Sequence, residues 1–157
     1  LKRFIGTDYL ANKYEGGSML IIRLAPTDYH RYHFPAKGIA SETSIIKGYY
    51  YSVSPIALRK SLELFCENKR TVSTLETESY GDILISEVGA TMVGSILQTY
   101  KVNSIVKLGS EKGYFAFGGS TVVLLFEKGK VKISDDLIQN TKKGFETQVL
   151  IGQTIGD

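Results

Sequence analysis

The sequence predicts a mainly β fold of the α+β class, a compact β-sandwich or barrel-like domain with a few short helices. Glycine is frequent (16 residues), proline is rare (three), and runs rich in β-branched and aromatic residues recur between short turn signals. With 157 residues and 43% hydrophobic content, the chain is long enough to bury a core of its own. We therefore expect one domain over residues 1–157.

Eight segments combine strand-forming residues with flanking turn signals and are predicted to be strands. They cover residues 18–24, 47–53, 71–77, 83–88, 104–108, 114–117, 120–126 and 131–133. A helix is predicted from Pro55, because proline suits the first helical turn and apolar residues recur at helical spacing in IALRKSLELF. A second short helix is predicted after Ser134, which can cap it, with two aspartates in the first turn.

Composition narrows the classes of function. The net charge of +3 and the pI near 8.9 fit an anionic membrane surface, but charge alone fits nucleic acid equally well, and an ordinary solvated surface is the simplest interpretation. The longest apolar stretches, 19–22 and 122–126, are far shorter than the roughly 20 residues that cross a bilayer, so any membrane contact of this portion is expected to be peripheral. Cys66 is the only cysteine, which excludes an internal disulfide and a multi-cysteine metal site.

Both histidines of the chain, His30 and His33, lie in the short segment RLAPTDYHRYHFPAKG. A metal site is disfavoured, because no third ligand of the usual kinds is evident nearby. A structural pair of histidines remains an alternative. General acid–base chemistry is favoured, because imidazole is the side chain whose ordinary pKa lies near neutral pH.

The segment Gly118-Gly119-Ser120-Thr121 separates two apolar runs, GYFAF and TVVLLF. Taken alone, it fits an ordinary hairpin turn. Combined with a nearby imidazole, it permits a specific reaction, in which the serine hydroxyl attacks the carbonyl of the preceding residue and converts the amide into an ester. β-Elimination of that ester, followed by hydrolysis with loss of ammonia, would leave a pyruvoyl group at the serine position.

Several motifs in register carry a resemblance to a known family. The segment from Asp28 to Pro35, DYHRYHFP, resembles the Asp-Tyr-His-Arg-x-His-x-Pro signature of phosphatidylserine decarboxylases. The agreement continues through YYSVSP, ENKR, VGATMVGSI, KGYFAFGGSTVVLLF and IGQTIG. The resemblance covers nearly the whole chain in the order that the family shows.

The resemblance implies pyruvoyl-dependent decarboxylation of phosphatidylserine to phosphatidylethanolamine. Ser120 is expected to become the pyruvoyl cofactor after autocatalytic cleavage between Gly119 and Ser120, which gives a β chain (1–119) and an α chain (120–157) that stay associated. By motif position, His33 is expected to be the base for self-cleavage and His30 to act in decarboxylation. Ser52 resembles a serine that lines the family's active site.

The family's Ser-Pro-x-Asp-Gly motif, whose aspartate orients the self-cleaving histidine, has no equivalent here. Either another group fills that role or the sequence is an N-terminally truncated portion of the catalytic protein, and the truncated portion is the favoured expectation. The expected partners are an aminophospholipid substrate and an anionic membrane surface, with peripheral membrane association of this portion and no nucleic acid, and the formation of a homo-oligomer stays open.

Two alternatives remain from the residues alone. The first is a catalytically inactive, lipid-binding relative, although the presence of Ser120, His30 and His33 argues against it. The second is a non-enzymatic, carrier-like β module, because KLGSEKGYFAFGG and TQVLIGQTIGD both place a glycine-containing turn after a hydrophobic strand, although two ordinary hairpins explain this equally well.

Overall fold

The computed structural model describes residues 1–91, 95–116 and 120–157. Helices and strands follow one another in chain order as α1 (Lys2–Ile5), α2 (Asp8–Lys13), β1 (Ser18–Leu24), β2 (Arg31–His33), β3 (Gly38–Ala40), β4 (Ser44–Ile46), α3 (Pro55–Lys60), α4 (Leu64–Glu67), β5 (Arg70–Glu76), β6 (Asp82–Val88), β7 (Ser95–Gln98), β8 (Ser104–Val106), β9 (Glu111–Ala116), β10 (Ser120–Phe126) and α5 (Asp135–Lys142).

The strands form two antiparallel sheets. The large sheet has the order β1-β10-β6-β5-β3-β8, with β4 also paired to β5, and the small sheet has the order β2-β9-β7. Within the described ranges neither sheet closes into a barrel. The prediction of a mainly β, sandwich-like domain with a few short helices is confirmed.

The strand β10 occupies the middle of the core. It pairs with β1 on one side and with β6 on the other, and all seven of its residues are buried. Its run TVVLLF has no polar alternation, as expected for a strand that is covered on both faces. The backbone of Ser120, the first residue of this strand, is therefore held in a fixed position.

The small sheet and the N-terminal helices lie on opposite faces of the large sheet. On one face, Glu87 of β6 binds Lys112 of β9. Arg70 of β5 points to the other face, because side chains alternate along a strand. It donates hydrogen bonds to the carbonyl oxygens of Arg3 and Phe4, both at 2.7 Å. Burial lowers the pKa of Arg70. Arg70 thus fixes α1 over the sheet without a carboxylate partner among the described residues.

The strands that the sequence predicts best are those with continuous apolar runs. β1 and β10 have the predicted bounds, β5 is shifted by one residue toward the N-terminus, and β6 begins one residue early. β8 ends two residues early, and β9 begins three residues early, at Glu111, while residue 117 lies outside the described residues. The short strands β2, β3, β4 and β7 and the helices α1 and α2 are not predicted.

Two predicted strands are wrong. Residues 47–53 and 131–133 form no strand, and each contributes only an isolated bridge, Tyr49 to Asn68 and Ile133 to Gly156.

The helix predicted from Pro55 is too long, because the backbone at Ser61 is extended (φ −158°, ψ 121°) and separates α3 from α4. The helix after Ser134 is confirmed as α5, although the Ser134 side chain makes no capping hydrogen bond. No helix in the described ranges is long and apolar enough to span a membrane.

Candidate active site

Ser120 is the first residue of β10, and its side chain is fully buried. Its backbone lies opposite Leu24 at the end of β1, while Thr121 pairs with Val88 at the end of β6. Since side chains alternate along a strand, Ser120 faces the small sheet, as Val122 does. Its Oγ has no hydrogen-bond partner within the described ranges. Such a buried hydroxyl is costly. Tyr14, Ser73, Ser86 and Thr121 share this property, so it is the place of Ser120 at the start of β10 that distinguishes it.

His30 lies in the segment that connects β1 to β2. Its carbonyl oxygen accepts a hydrogen bond from the N–H of Phe115 (3.0 Å), near the end of β9. Its ring Nδ1 lies 2.6 Å from the carbonyl oxygen of Asp28. Because a carbonyl oxygen can only accept, Nδ1 carries the hydrogen, and in the neutral ring Nε2 holds the free lone pair. His30 Nε2 is buried without a partner in the described part of the chain, so it is available for proton transfer.

His33 occupies different surroundings at the end of β2. It pairs with Glu111 next to a β-bulge, and its ring stacks on that of Tyr29, with the ring centroids 5.8 Å apart. The pKa of Glu111 is lowered chiefly by its hydrogen bond from Arg31, next by that from Thr99, and to a smaller extent by His33. No hydrogen bond joins the His33 ring to the Ser120 hydroxyl within the described ranges.

The two histidines approach different positions of β9. His30 lies beside Phe115, and His33 lies opposite Glu111. Phe115 and Glu111 are about 13 Å apart along β9. Phe115 is the position closer to Ser120 in the sequence. The predicted cleavage residue Gly119 lies outside the described residues. No cluster of three or more His, Cys, Asp or Glu side chains within these ranges is arranged to hold a metal ion.

Ser52 lies in an exposed segment whose backbone is held by Asn68. The Ser52 hydroxyl accepts a hydrogen bond from the N–H of Ser54 (3.2 Å). Asn68 is fully buried, and its side chain accepts from the Tyr51 N–H (2.9 Å) and donates to the carbonyl oxygens of Tyr51 and Gly89 (both 2.8 Å). Since Gly89 directly follows β6, Asn68 ties the Ser52 segment to the end of the large sheet where Ser120 lies.

A buried ion pair lies between the two sheets near Ser120. Lys112 Nζ donates to Glu87 Oε1 at 2.7 Å and to Gln98 Oε1 at 2.8 Å, and Thr71 donates to the same Glu87 carboxylate. Burial lowers the pKa of Lys112, and the Glu87 carboxylate opposes that lowering. Because Glu87 lies opposite Val122 on β10, it is a diagonal neighbour of Ser120 on the same face of the sheet.

The sequence profile of phosphatidylserine decarboxylase matches residues 1–157, the whole of this chain. The chain belongs to the phosphatidylserine decarboxylase family. The family that the histidine and Gly-Gly-Ser-Thr motifs predict is therefore confirmed.

Three relatives named phosphatidylserine decarboxylase proenzyme illustrate the similarity. The chain is 54% identical over 157 residues to the protein of Fusobacterium nucleatum, covering 100% of this chain and 52% of that protein. It is 56% identical over 155 residues to the protein of Clostridium tetani, covering 99% and 52%. It is 54% identical over 157 residues to the protein of Ruminiclostridium cellulolyticum, covering 100% and 52%. The chain spans about half the length of the curated relatives that it matches.

Two features of this phosphatidylserine decarboxylase family member are not predicted from the sequence. Asn68 stands in the ENKR motif, which marks the family but does not indicate a role for the amide. Glu87 is the only charged residue in the run ILISEVGA, and a lone acid in an apolar strand is a signal that a buried partner exists. The identity of that partner, Lys112, depends on how the small sheet packs and is not readable from local pattern.

Asn68→Leu should measure how firmly the Ser52 segment is held in this family member. We expect a loss of about 2–3 kcal/mol in the free energy of unfolding, because the buried Gly89 carbonyl and the Tyr51 backbone lose their partners. Urea unfolding would measure the loss. Asn12→Leu, at an exposed position, is the matched control, expected to stay within about 0.5 kcal/mol of the unsubstituted protein. Equal stability of the two variants would contradict the assigned role of Asn68.

Proposed function

We propose that the protein decarboxylates phosphatidylserine to phosphatidylethanolamine with a pyruvoyl cofactor derived from Ser120. The observation that carries the proposal is the Ser120 hydroxyl, which is buried and unpartnered within the described ranges at the head of the central strand. Membership of the phosphatidylserine decarboxylase family supports the same substrate and reaction.

The setting of Ser120 fits the formation of a pyruvoyl group. Backbone pairing fixes Ser120 opposite Leu24, and the side chain is fully buried on the face that the small sheet covers. Because burial limits the access of bulk water, an ester at this position can undergo elimination before it is hydrolysed. A nucleophile without a competing hydrogen bond is free to turn toward the preceding peptide bond.

Self-cleavage follows from the chemistry of serine. The Ser120 Oγ attacks the carbonyl carbon of Gly119, the C–N bond breaks, and an ester takes the place of the amide. Removal of the Ser120 α-proton then breaks the bond from Cβ to oxygen, so the Gly119 carboxylate departs and dehydroalanine remains. Its imine tautomer takes up water and releases ammonia, which leaves the pyruvoyl group at the start of residues 120–157.

The two products of cleavage would remain one folded body. β10 belongs to the C-terminal piece, yet it pairs along its length with β1 and β6 of the N-terminal piece. Its apolar residues Val123 to Phe126 are buried in the shared core. Cleavage at its N-terminal end therefore removes one covalent link without exposing the strand.

The two histidines have separate proposed tasks. His33 is the proposed base that activates Ser120 for self-cleavage. In turnover, the pyruvoyl carbonyl supplies an electron sink for the electrons released as CO2 leaves. His30 Nε2 is the proposed donor of the proton to the carbon that loses CO2, and its Nδ1 hydrogen bond to Asp28 keeps the ring oriented for this transfer. Ser52 is proposed to line the same site.

The partners follow from the proposed reaction. The substrate is an aminophospholipid, and the protein would work at an anionic membrane surface, with this portion bound peripherally.

Intact-protein mass spectrometry of the full-length protein beside a Ser120→Ala variant tests the proposal. We expect the unsubstituted protein to appear as two pieces split between Gly119 and Ser120, with a pyruvoyl-blocked C-terminal piece. The variant should stay a single chain, because methyl replaces the only group that can attack the peptide bond. Ser110→Ala, at a serine whose hydroxyl donates to the Lys107 carbonyl on the surface, is the control and should be cut normally. A single uncut chain for the unsubstituted protein would favour an inactive, lipid-binding relative.

A further inference from the structure

The segment between Tyr49 and Leu62 presents large apolar side chains to solvent. Tyr49 is 63% exposed, Ile56 73% and Leu62 65%, while Tyr50 and Tyr51 are each more than two-fifths exposed. These five residues are called the tyrosine surface below. The helix α3, which lies within the segment, buries none of its residues. Several large exposed apolar side chains within one short segment indicate an interaction surface.

The tyrosine surface is held in place and is not a loose loop. Asn68 pairs with both backbone groups of Tyr51, and the Tyr49 backbone exchanges hydrogen bonds with Glu67 and Lys69 (2.9 and 2.8 Å). The rings of Tyr49 and Tyr51 lie 5.2 Å apart. Val53, only 3% exposed, is buried in the core and anchors the segment there. The apolar side chains are therefore exposed on a fixed scaffold.

Within the stretch between Glu42 and Glu63, every charged side chain is cationic. No acidic residue occurs between Glu42 and Glu63, whereas Lys47, Arg59 and Lys60 all lie in that stretch. All three of these cationic side chains belong to exposed residues. Tyrosine rings with aliphatic and cationic neighbours are the combination that suits the interface of an anionic bilayer, where the rings sit at the level of the lipid headgroups.

The tyrosine surface is adjacent to the end of the sheet where Ser120 lies. Asn68 links Tyr51 to Gly89, which follows the strand paired with β10. On the neighbouring side, Arg23 lies opposite Thr121 and forms a salt bridge to Glu146 (2.6 Å). The pKa of Glu146 is lowered mainly by Arg23, with Arg59 also contributing, so α3 approaches the same region.

We propose that the tyrosine surface docks this protein onto an anionic lipid bilayer, with Ile56 and Leu62 inserted among the lipids and Arg59 and Lys60 against their phosphates. The inference rests on the proposed function, because a phospholipid substrate has its headgroup at the bilayer surface and its tails within it. Docking at this surface would hold the headgroup of the substrate close to Ser120 while the tails stay in the membrane.

Co-sedimentation of the full-length protein with vesicles tests this surface. The vesicles contain either phosphatidylcholine alone or equal parts of phosphatidylcholine and phosphatidylglycerol. The Arg59→Gln/Lys60→Gln variant should bind the anionic vesicles roughly thirty-fold more weakly, since each cation near such a surface contributes a factor of about five. The Ile56→Ser/Leu62→Ser variant should lose about tenfold on both kinds of vesicle.

Matched controls separate the tyrosine surface from general exposure and charge. Ile105→Ser/Leu108→Ser removes two apolar residues that are each 71% exposed elsewhere, and Lys142→Gln/Lys143→Gln removes two exposed cations at the end of α5. Both controls should bind as the unsubstituted protein does. If the tyrosine-surface variants bind no more weakly than these controls, a protein partner or another part of the full chain covers the surface, and the proposal is overturned.

Two further measurements distinguish this proposal from the proposed function. Intact mass reports self-cleavage, and turnover of a short-chain phosphatidylserine in detergent micelles reports chemistry without a bilayer. We expect the Ile56→Ser/Leu62→Ser variant to equal the unsubstituted protein in both and to lose activity only on vesicles. Should the unsubstituted protein stay uncut, the pyruvoyl assignment fails, but the vesicle comparison still decides whether the surface binds lipid.

Discussion

Lys112→Met is expected to lower the free energy of unfolding by about 3–5 kcal/mol, because it leaves the Glu87 carboxylate buried without a neighbouring cation. The two side chains are 1% and 0% exposed, and their charged atoms lie 2.7 Å apart. Methionine matches the length of the lysine stem, so packing changes little. Urea unfolding measures the effect, and carrying Ser120→Ala in every variant removes the proposed nucleophile and should keep the chain in one piece.

The double variant Glu87→Leu/Lys112→Met supplies the decisive comparison. Replacing a buried ion pair with apolar residues of similar volume is often neutral, so most of the loss should be recovered. Full recovery is not expected, because Thr71 and Gln98 lose a hydrogen-bond partner. Lys107→Met, at an exposed lysine, is the control and should change stability by less than about 0.5 kcal/mol. A loss below about 1 kcal/mol for Lys112→Met would show that the pair contributes little.

The strands around Ser120 are the part of the fold that the sequence predicts best. β1 and β10 have their predicted bounds, because a run such as TVVLLF is apolar on both faces and suits a central strand. Its neighbour β6 is predicted within one residue for the same reason. Local pattern suffices where the chain is buried on both sides.

The segment 47–53 shows where local pattern fails. Its run YYYSV has high β propensity, but the Asn68 amide takes both backbone groups of Tyr51, so no ladder forms there. Local pattern also misses the three-residue strands β2, β3 and β4, for the opposite reason. Their pairing depends on distant strands and not on their own composition. Tertiary contacts decide both outcomes.

The candidate site is predicted in part. The motifs identify Ser120, His30 and His33, but they do not indicate that His30 lies beside Phe115 while His33 lies with Tyr29 and Glu111. The tautomer of His30 follows only from the position of the Asp28 carbonyl, which the sequence does not specify. Chemistry is thus readable from residue types, whereas the orientation of each group requires the fold.

His30→Ala should leave self-cleavage largely intact and lower turnover by about 10²–10⁴-fold, the usual contribution of a general acid or base. His33→Ala should give the converse result, an uncut chain with no turnover at all. The two rings have separate contacts, so the loss of one leaves the surroundings of the other unchanged. Intact mass reports cleavage, and release of CO2 from phosphatidylserine micelles reports turnover.

Tyr29→Leu provides the matched control for His33→Ala, because it removes the stacked ring and keeps the imidazole. Normal cleavage in Tyr29→Leu together with blocked cleavage in His33→Ala would assign the effect to the imidazole and not to packing. If His30→Ala blocks cleavage and His33→Ala does not, His30 is the base. The free Nε2 lone pair of His30 and its position beside Phe115, five residues before Ser120 in the sequence, would then explain that result.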